Sequence, residues 1–275
     1  MQCIYCQNWE ISCRGTQGTV MSLDEVCNAI IELLPLSENN LGFVSPTHFV
    51  LQMISIVEEL RLRGFFPTIV YNTNGYELAE TIRSLEGIVD VWLPDFKYSD
   101  DDLAVALSQA PDYSQYALRS IKEMVHQVGT TLHMDDRGIA RRGVIIRHLL
   151  LPGFMDNSTG VLRLISENLS PNLHISLMSQ YYPPDNSVFA HSGIDNGGKK
   201  RRSQIANLSL QLNSRLNPAH EVSGRKSLSR PIAREEYETV VDSFHAFGFS
   251  RGWFQDFESH RNYRPDFSKG NPFER

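Results

Sequence analysis

The sequence has few cysteines, no long apolar run and no strong net charge, and each absence excludes a class of protein. Its four cysteines in 275 residues are unevenly spaced, unlike the framework of a disulfide-rich secreted domain. No apolar run reaches the roughly 18 residues that a membrane-spanning helix needs, and no signal-peptide pattern precedes Cys3. The formal charge of −6 gives no global reason to expect nucleic acid or an anionic membrane as partner. We therefore expect a cytoplasmic protein with reduced thiols.

Short apolar runs alternate with helical patterns through most of the chain. The runs cover 41–45, 68–71, 89–94, 144–151 and 175–178, and helices are predicted after Ser22 and at about 49–63, 77–85, 114–128 and 160–168. Strands that alternate with helices predict an α/β protein with a parallel sheet buried on both faces. Polar residues follow each run, at the edge where α/β sheets place their functional sites.

The composition changes near residue 185. We expect residues 1–184 to form the core domain, 185–231 a polar insertion, and 232–275 a helix and an aromatic tail that pack on the core. The insertion carries eight Lys and Arg against three Asp and Glu, with KKRR at 199–202. Such a tract is either a solvated loop or a contact for nucleic acid or an acidic partner, and we favour the loop because large apolar residues are scarce there.

Cys3 and Cys6 form a C-x-x-C pair, whose spacing lets both sulfurs bind one metal centre. Alone, the pair is compatible with zinc, a redox dithiol or an iron–sulfur cluster. A zinc site takes a second pair, whereas Cys13 and Cys27 are single cysteines at other spacings. Cys27 lies in a predicted helix and is expected to be a small buried residue.

The polar residues after the predicted strands each have a structural alternative to a functional role. Asp95 and Lys97 can form a local ion pair, and residues 72–75, with the sequence NTNG, can be a turn because Asn and Gly suit turns. His48 and His148 can each be a hydrogen-bonded core histidine.

The stretch CIYCQN at 3–8 resembles the second half of the C-x-x-x-C-x-x-C loop of radical S-adenosylmethionine (SAM) enzymes. Within that superfamily it is similar to the branch named after the pyruvate formate-lyase activating enzyme, and longer stretches match one subgroup of that branch in order. They are SPTHFV at 45–50, IVYNTNGYE at 69–77, VWLPDFKY at 91–98, EMVHQVG at 123–129, RGVIIRHLLLPG at 142–153, LMSQYYP at 177–183 and RGWFQD at 251–256. The resemblance spans nearly the whole chain except about 185–230, so it is far more specific than one C-x-x-C.

The resemblance implies a partial (β/α)6 barrel with a cysteine loop after its first strand. In the family three thiolates hold a [4Fe-4S] cluster, and here Cys3 and Cys6 are the implied metal ligands. The first strand and the first cysteine, two residues upstream, would both fall before Met1, so we expect a truncated gene product or a fragment. The family's reduced cluster cleaves SAM, and the 5′-deoxyadenosyl radical abstracts a hydrogen atom from the substrate.

The resemblance also implies a site for S-adenosyl-L-methionine as cofactor. Its implied binding residues are Tyr5 near the adenine, Asn72 and Thr73 at the family's Asp-Thr, Asp95 and Lys97 at its Asp-x-Lys, and Arg147. Lys97 or Arg147 would contact the SAM carboxylate, and Asp95 would position Lys97 or accept from the amine. Residues 46–48 (PTH) stand where many relatives have Gly-Gly-Glu, so that amine contact does not carry over. The implied partners are an electron donor of the flavodoxin or ferredoxin type and a protein substrate, such as a glycyl-radical enzyme.

Two other hypotheses remain from the residues themselves. A catalytically inactive remnant that lost its third ligand would act as a binding protein and would not hold a stoichiometric [4Fe-4S] cluster. A zinc or dithiol protein would use only Cys3 and Cys6, and it would leave the matches at the strand ends unexplained.

Overall fold

The computed structural model describes residues 1–8, 19–183 and 227–261. The described helices are α1 Leu23–Leu33, α2 Val50–Leu62, α3 Ala79–Arg83, α4 Asp101–Ser108, α5 Tyr113–Val128, α6 Met155–Asn168 and α7 Arg234–Ala246. The described strands are β1 Asn40–Val44, β2 Thr68–Thr73, β3 Val91–Pro94, β4 His133–Met134, β5 Ala140–Leu149, β6 His174–Met178 and β7 Gly252–Phe254. Short 3-10 turns cover Leu34–Ser37, Pro46–Phe49 and Phe257–Arg261.

The strands form one sheet in the order β1-β2-β3-β5-β6-β7, with β4 paired to β5. All five pairings along this path are parallel, and only the pairing of β4 with β5 is antiparallel among the described strands. Parallel neighbours place their carboxyl ends at one edge, which is where a site can be built from several strands. The predicted α/β class with a parallel sheet is confirmed.

The two faces of the sheet differ in exposure. Every second residue of β2, β6 and the second half of β5 points to one face of the sheet and is almost completely buried there. Tyr71, Ile146 and Leu177 are examples, and they belong to the main core. The intervening residues on the other face, such as Val70 and Ile145, are only half-buried in the described part of the chain. The prediction that both faces are buried is therefore wrong for these residues.

The helix predicted after Ser22 and the predicted strands are present. Ser22 and Glu25 form a capping box, in which the Ser22 amide donates to Glu25 Oε2 at 2.7 Å and the Glu25 amide donates to Ser22 Oγ at 3.3 Å. The apolar runs become strands, and their ends shift from the predictions by a few residues. Within the described residues no helix is both long and apolar enough to cross a lipid bilayer.

Three elements were not predicted, and two of them had visible signals. Asp100 is the N-cap of helix α4, and its carboxylate accepts from the amides of Asp102 and Leu103. The β4–β5 hairpin turns at residues 135–138, where the Gly138 amide donates to the Asp135 carbonyl. Strand β7 has only three residues, too few for a period-2 pattern to be seen in the sequence.

Glu236, in the first turn of α7, joins that helix to the loop after β5. Glu236 Oε1 accepts from the Gly153 amide at 2.7 Å, and its two oxygens receive both terminal nitrogens of Arg230. Burial opposes ionisation of Glu236, but the hydrogen bonds from Arg230, Ala233 and Gly153 outweigh it and lower its pKa. The aromatic residues that follow α7 pack back on it, since Phe254 contacts Phe244 edge to face. Most of the predicted insertion at 185–231, including KKRR, lies outside the described residues.

His148 is a core histidine, as one of the two alternatives predicted. It is 0% exposed, with Nδ1 2.7 Å from the Phe96 carbonyl and Nε2 2.9 Å from Ser158 Oγ. A carbonyl can only accept, so Nδ1 carries the proton and Nε2 accepts from Ser158. This neutral ring ties β5 to the segment after β3 and to α6. His48, in contrast, is exposed and lies against Phe49, so the core alternative is wrong for it.

We predict that His148 makes the fold sensitive to mild acid. Burial, followed by the charge of Lys97, lowers the pKa of His148 from 6.5 to about 4. The unfolded chain therefore binds a proton that the native chain refuses, and stability falls as the pH drops from about 6.5 to about 4, by at most about 3 kcal/mol. The measurement is the free energy of unfolding in urea across this pH range, for the wild type and for His148→Gln.

The control for this experiment is His126→Gln, because the His126 side chain is 76% exposed. The loss of stability between pH 6.5 and 4 should be smaller in His148→Gln and unchanged in His126→Gln. Equal slopes in all three proteins would contradict the prediction.

Candidate functional site

The candidate site lies at the carboxyl ends of β2, β3 and β5. The Asp95 amide donates to the Thr73 carbonyl at 2.8 Å, and the Phe96 amide donates to the Arg147 carbonyl at 2.9 Å. These backbone bonds extend the sheet just past β3 and bring Asp95 beside Arg147 on the neighbouring strand. Three of the predicted binding residues, Asn72, Asp95 and Arg147, thus meet at one edge.

Asp95 is the centre of this group. Its Oδ2 lies 2.6 Å from Lys97 Nζ, and its Oδ1 lies 2.6 Å from Arg147 Nη2. The same Arg147 nitrogen donates to Asn72 Oδ1 at 2.6 Å. The side chains of Asp95, Lys97 and Arg147 are 13%, 16% and 25% exposed, so the cluster is shielded but reachable from solvent. The structure therefore brings together four of the six predicted cofactor-binding residues: Asn72, Asp95, Lys97 and Arg147.

The electrostatics of the cluster favour an anionic ligand. Burial alone would raise the pKa of Asp95, but the charges of Lys97 and Arg147 outweigh it and lower that pKa. Burial likewise works against the charged form of Lys97, while Asp95 and then Cys3 favour it and raise its pKa. Two cations thus share one carboxylate, which leaves a formal charge of +1 at the sheet edge. A carboxylate or phosphate group is the natural partner for such a surplus.

Thr73 is not part of this cluster, because successive residues of a strand point to opposite faces. It is 1% exposed, and its hydroxyl donates to Glu77 Oε1 at 2.6 Å. Glu77 Oε1 also accepts from Thr47 at 2.6 Å and from Tyr71 at 3.3 Å. These contacts join the segment after β1 to the end of β2, so they position the edge on which Asn72 lies.

The turn predicted at residues 72–75 is present. Asn74 Oδ1 accepts from the Tyr76 amide at 2.9 Å, and Gly75 has a φ of +77°. A Cβ atom at Gly75 would lie 2.2 Å from the Asp95 carbonyl oxygen, so only glycine allows the turn to approach Asp95. The turn is therefore both a structural element and a support for the site.

Tyr113, at the start of α5, was missed by the sequence analysis. It is fully buried, and its hydroxyl lies within hydrogen-bond distance of the carbonyls of Asn74, at 2.8 Å, and of Asp95, at 2.9 Å. The same oxygen accepts from the Lys97 amide at 2.9 Å. One hydroxyl thus ties the ends of β2 and β3 together. The sequence shows only a tyrosine directly before the helix predicted at 114–128, and a tyrosine that is buried needs a partner for its hydroxyl.

The cysteine loop lies against the C-terminal end of α4. The amides of Gln2 and Ile4 donate to the carbonyls of Ser108 and Leu107, both at 2.9 Å, and the Cys6 amide donates to the Cys3 carbonyl at 3.2 Å. Gln7 Nε2 donates to the Gln180 carbonyl at 3.2 Å, just beyond β6. The loop therefore reaches the same edge of the sheet as Lys97, whose charged form Cys3 favours.

Tyr5 is buried between the loop and the core, with 6% of its surface exposed. Its hydroxyl lies 2.5 Å from that of Tyr98, which lies 2.5 Å from Ser108 Oγ. Ser108 Oγ in turn donates to Cys3 Sγ at 3.0 Å. Burial raises the pKa of Tyr5 and of Tyr98, so both phenols keep their protons. The contact of Tyr5 with an adenine stays a prediction.

The thiols are not disulfide-bonded, and both Cys3 and Cys6 are partly exposed. Cys27 is 0% exposed in α1, as predicted, whereas Cys13 lies outside the described residues. Within residues 1–8, 19–183 and 227–261, no cluster of three or more His, Cys, Asp or Glu side chains is placed to hold a metal ion.

Comparison with known proteins gives one distant likeness. No protein-family model matches the chain. The chain is 30% identical over 191 residues to an uncharacterised protein of Methanocaldococcus jannaschii, a match that covers 66% of this chain and 51% of that protein. The chain thus spans about half the length of the curated relative it matches, and the likeness carries no activity with it.

We predict that Gly75→Ala destabilises the protein, whereas Gly42→Ala does not. The Gly75 change forces a side chain into a left-handed conformation and against the Asp95 carbonyl, at a cost of about 1–3 kcal/mol. An added Cβ at Gly42, in β1, meets nothing within 4 Å, so the matched control should change stability by less than about 1 kcal/mol. Urea unfolding midpoints measure both, and similar losses in the two variants would contradict the prediction.

Proposed function

We propose that this protein is a radical SAM enzyme of the activating-enzyme-like branch, which binds a [4Fe-4S] cluster and S-adenosyl-L-methionine at the carboxyl edge of its sheet. The observation that carries the proposal is the Asp95–Lys97–Arg147 cluster, with its surplus positive charge, beside a loop with two cysteines. The reaction class is hydrogen abstraction from a substrate, and an activating role toward a partner protein rests on family analogy alone.

We also propose that the sheet is part of a (β/α)6 barrel. The support is that the strands of the main path are parallel and follow one another across the sheet in sequence order. A second support is the half-exposed face, which carries Asn72 and Arg147 and would line the inside of such a barrel. Helices on the outer face alone are what a barrel of this kind requires.

The residues fit the cluster in kind, though the described part of the chain lacks the third ligand. Cys3 and Cys6 would be two of the three thiolate ligands, and the motif that they resemble has its third cysteine four residues before the position of Cys3. When bound, the cluster and SAM supply the one-electron chemistry. The protein's own part is to bind and orient these two groups and to shield them from water.

The strand-end residues would bind the amino acid end of SAM. Lys97 and Arg147 would bind its carboxylate, because each is charged, partly exposed and held in place by Asp95. Asn72 would fix the orientation of Arg147 by accepting from Nη2. Tyr5, Tyr98 and Tyr181 are buried behind the cysteine loop, so they would keep water away from that side of the site.

We predict that a chain extended to place a cysteine two residues before Met1 takes up a [4Fe-4S] cluster on anaerobic reconstitution. Iron, sulfide and zinc content per chain and the visible absorption band measure it, with the unextended chain for comparison. Cys3→Ser and Cys6→Ser should each abolish stoichiometric loading, because a cluster open to SAM takes three thiolates. Cys27→Ala, at a buried cysteine in α1, is the matched control and should load fully.

The outcomes separate the three hypotheses. Stoichiometric iron and sulfide in the extended chain support the enzyme. An extended chain without a cluster would contradict the proposal and favour the binding remnant, whereas stoichiometric zinc would favour the zinc protein.

We predict that Arg147→Gln and Lys97→Gln each weaken SAM binding about tenfold or more, since a hydrogen bond between charged groups contributes about 1.5–3 kcal/mol. Binding of 5′-methylthioadenosine, which lacks the carboxylate, should not change. The control is Arg83→Gln, because Arg83 is 59% exposed and pairs with Glu123. Calorimetric titration measures all affinities. Equal losses for both ligands would mean that the two cations only stabilise the fold.

A further inference from the structure

The hydroxyl chain from Tyr5 to Cys3 has a fixed direction. A hydroxyl group carries one proton, and a cysteine thiolate can only accept. Because Ser108 donates its proton to Cys3 Sγ, its oxygen must accept from Tyr98, and Tyr98 must then accept from Tyr5. Three hydrogen bonds therefore point the same way and end on the sulfur.

Water does not compete for the hydrogen bonds between these hydroxyl groups, because the groups are buried. Tyr98 and Ser108 are 0% exposed and Tyr5 is 6% exposed, so water does not replace their bonds. A buried serine hydroxyl is costly unless it is bonded, and the described partners of Ser108 Oγ are Tyr98 and Cys3 alone. The hydrogen bonds to Tyr98 and to the Cys3 sulfur thus explain how a serine can be buried at the end of α4.

Aligned hydrogen bonds polarise one another, and the effect is largest where water is excluded. The last bond of the chain withdraws electron density from Cys3 Sγ. Hydrogen bonds to the sulfurs are one of the factors that set the reduction potential of an iron–sulfur cluster.

We propose that Ser108 is a positioning residue that, with Tyr98 and Tyr5 behind it, holds and polarises the Cys3 sulfur and so raises the reduction potential of the cluster that Cys3 ligates. The cluster itself rests on the function proposed above. The hydrogen bond to the sulfur does not, so the two can be tested apart.

The test compares three serine variants. Ser108→Ala removes the donor, Ser108→Thr keeps the hydroxyl, and Ser120→Ala removes another fully buried serine hydroxyl, which bonds only the carbonyls of Gly75 and Ala117 among the described residues. The first measurement is the midpoint potential of the reconstituted cluster in the chain extended by one upstream cysteine. We expect a more negative potential in Ser108→Ala and the wild-type potential in the other two.

A second measurement uses the metal-free chain in a Cys6→Ser, Cys13→Ser, Cys27→Ala background, where Cys3 is the one thiol. The readout is the rate of alkylation by iodoacetamide on the alkaline plateau of the rate–pH profile, where the thiol is fully ionised. Loss of one hydrogen bond should raise this plateau about fivefold in Ser108→Ala. Ser108→Thr and Ser120→Ala should leave it unchanged, and Tyr98→Phe, which keeps Ser108, should give a smaller rise.

The outcomes distinguish the two proposals. If the cluster forms in every variant and neither the potential nor the plateau changes in Ser108→Ala, the inference is overturned while the proposed function stands. If no chain forms a cluster but the plateau rises, the proposed function fails, the effect on the cluster potential fails with it, and the hydrogen bond to Cys3 is upheld. A potential that shifts equally in Ser120→Ala would also overturn the inference.

Discussion

The carboxylate of Asp95 is the point at which three strands of this sheet are held together. A buried carboxylate costs several kcal/mol unless it is paired, and Asp95, just after β3, pairs with Lys97 two residues along the chain and with Arg147 on β5. Arg147 then reaches across to Asn72 on β2. The same ion pairs that stabilise the edge also fix the positions of the two cations, so the stability of the edge and the placement of both cations depend on one group.

Apolar runs predicted the main strands of the sheet, because a parallel strand packed against helices is apolar over most of its length. They did not predict that one face stays half-exposed. Val70, Leu93 and Ile145 lie on that face and are as apolar as the residues of the core, so the sequence does not distinguish the two faces. Strand β7 was missed for another reason, since it has only three residues and is too short for a periodic pattern.

The candidate site was predicted in part. Strand-end position indicated Asn72, Asp95 and Lys97, because parallel strands bring their carboxyl ends to one edge. Arg147 lies inside the predicted run 144–151, and only the family resemblance pointed to it. Strand-end position did not separate Thr73 from Asn72, which face opposite sides of the same strand. The roles of Tyr113 and Ser108 depend on which hydroxyl comes within about 3 Å of which partner, a distance that hydrophobic patterning does not contain. The alternatives of ion pair and turn are confirmed, whereas the binding role of the same residues stays a prediction.

Glu236 limits which sequence changes the protein can tolerate near α7. Because its carboxylate joins the Gly153 amide, Arg230 and the start of α7, the position of that helix is set by contacts on its own side of residues 184–226 and by the loop after β5. One carboxylate thus couples the loop after β5 to the first turn of α7, so a substitution that removes its charge would release both at once.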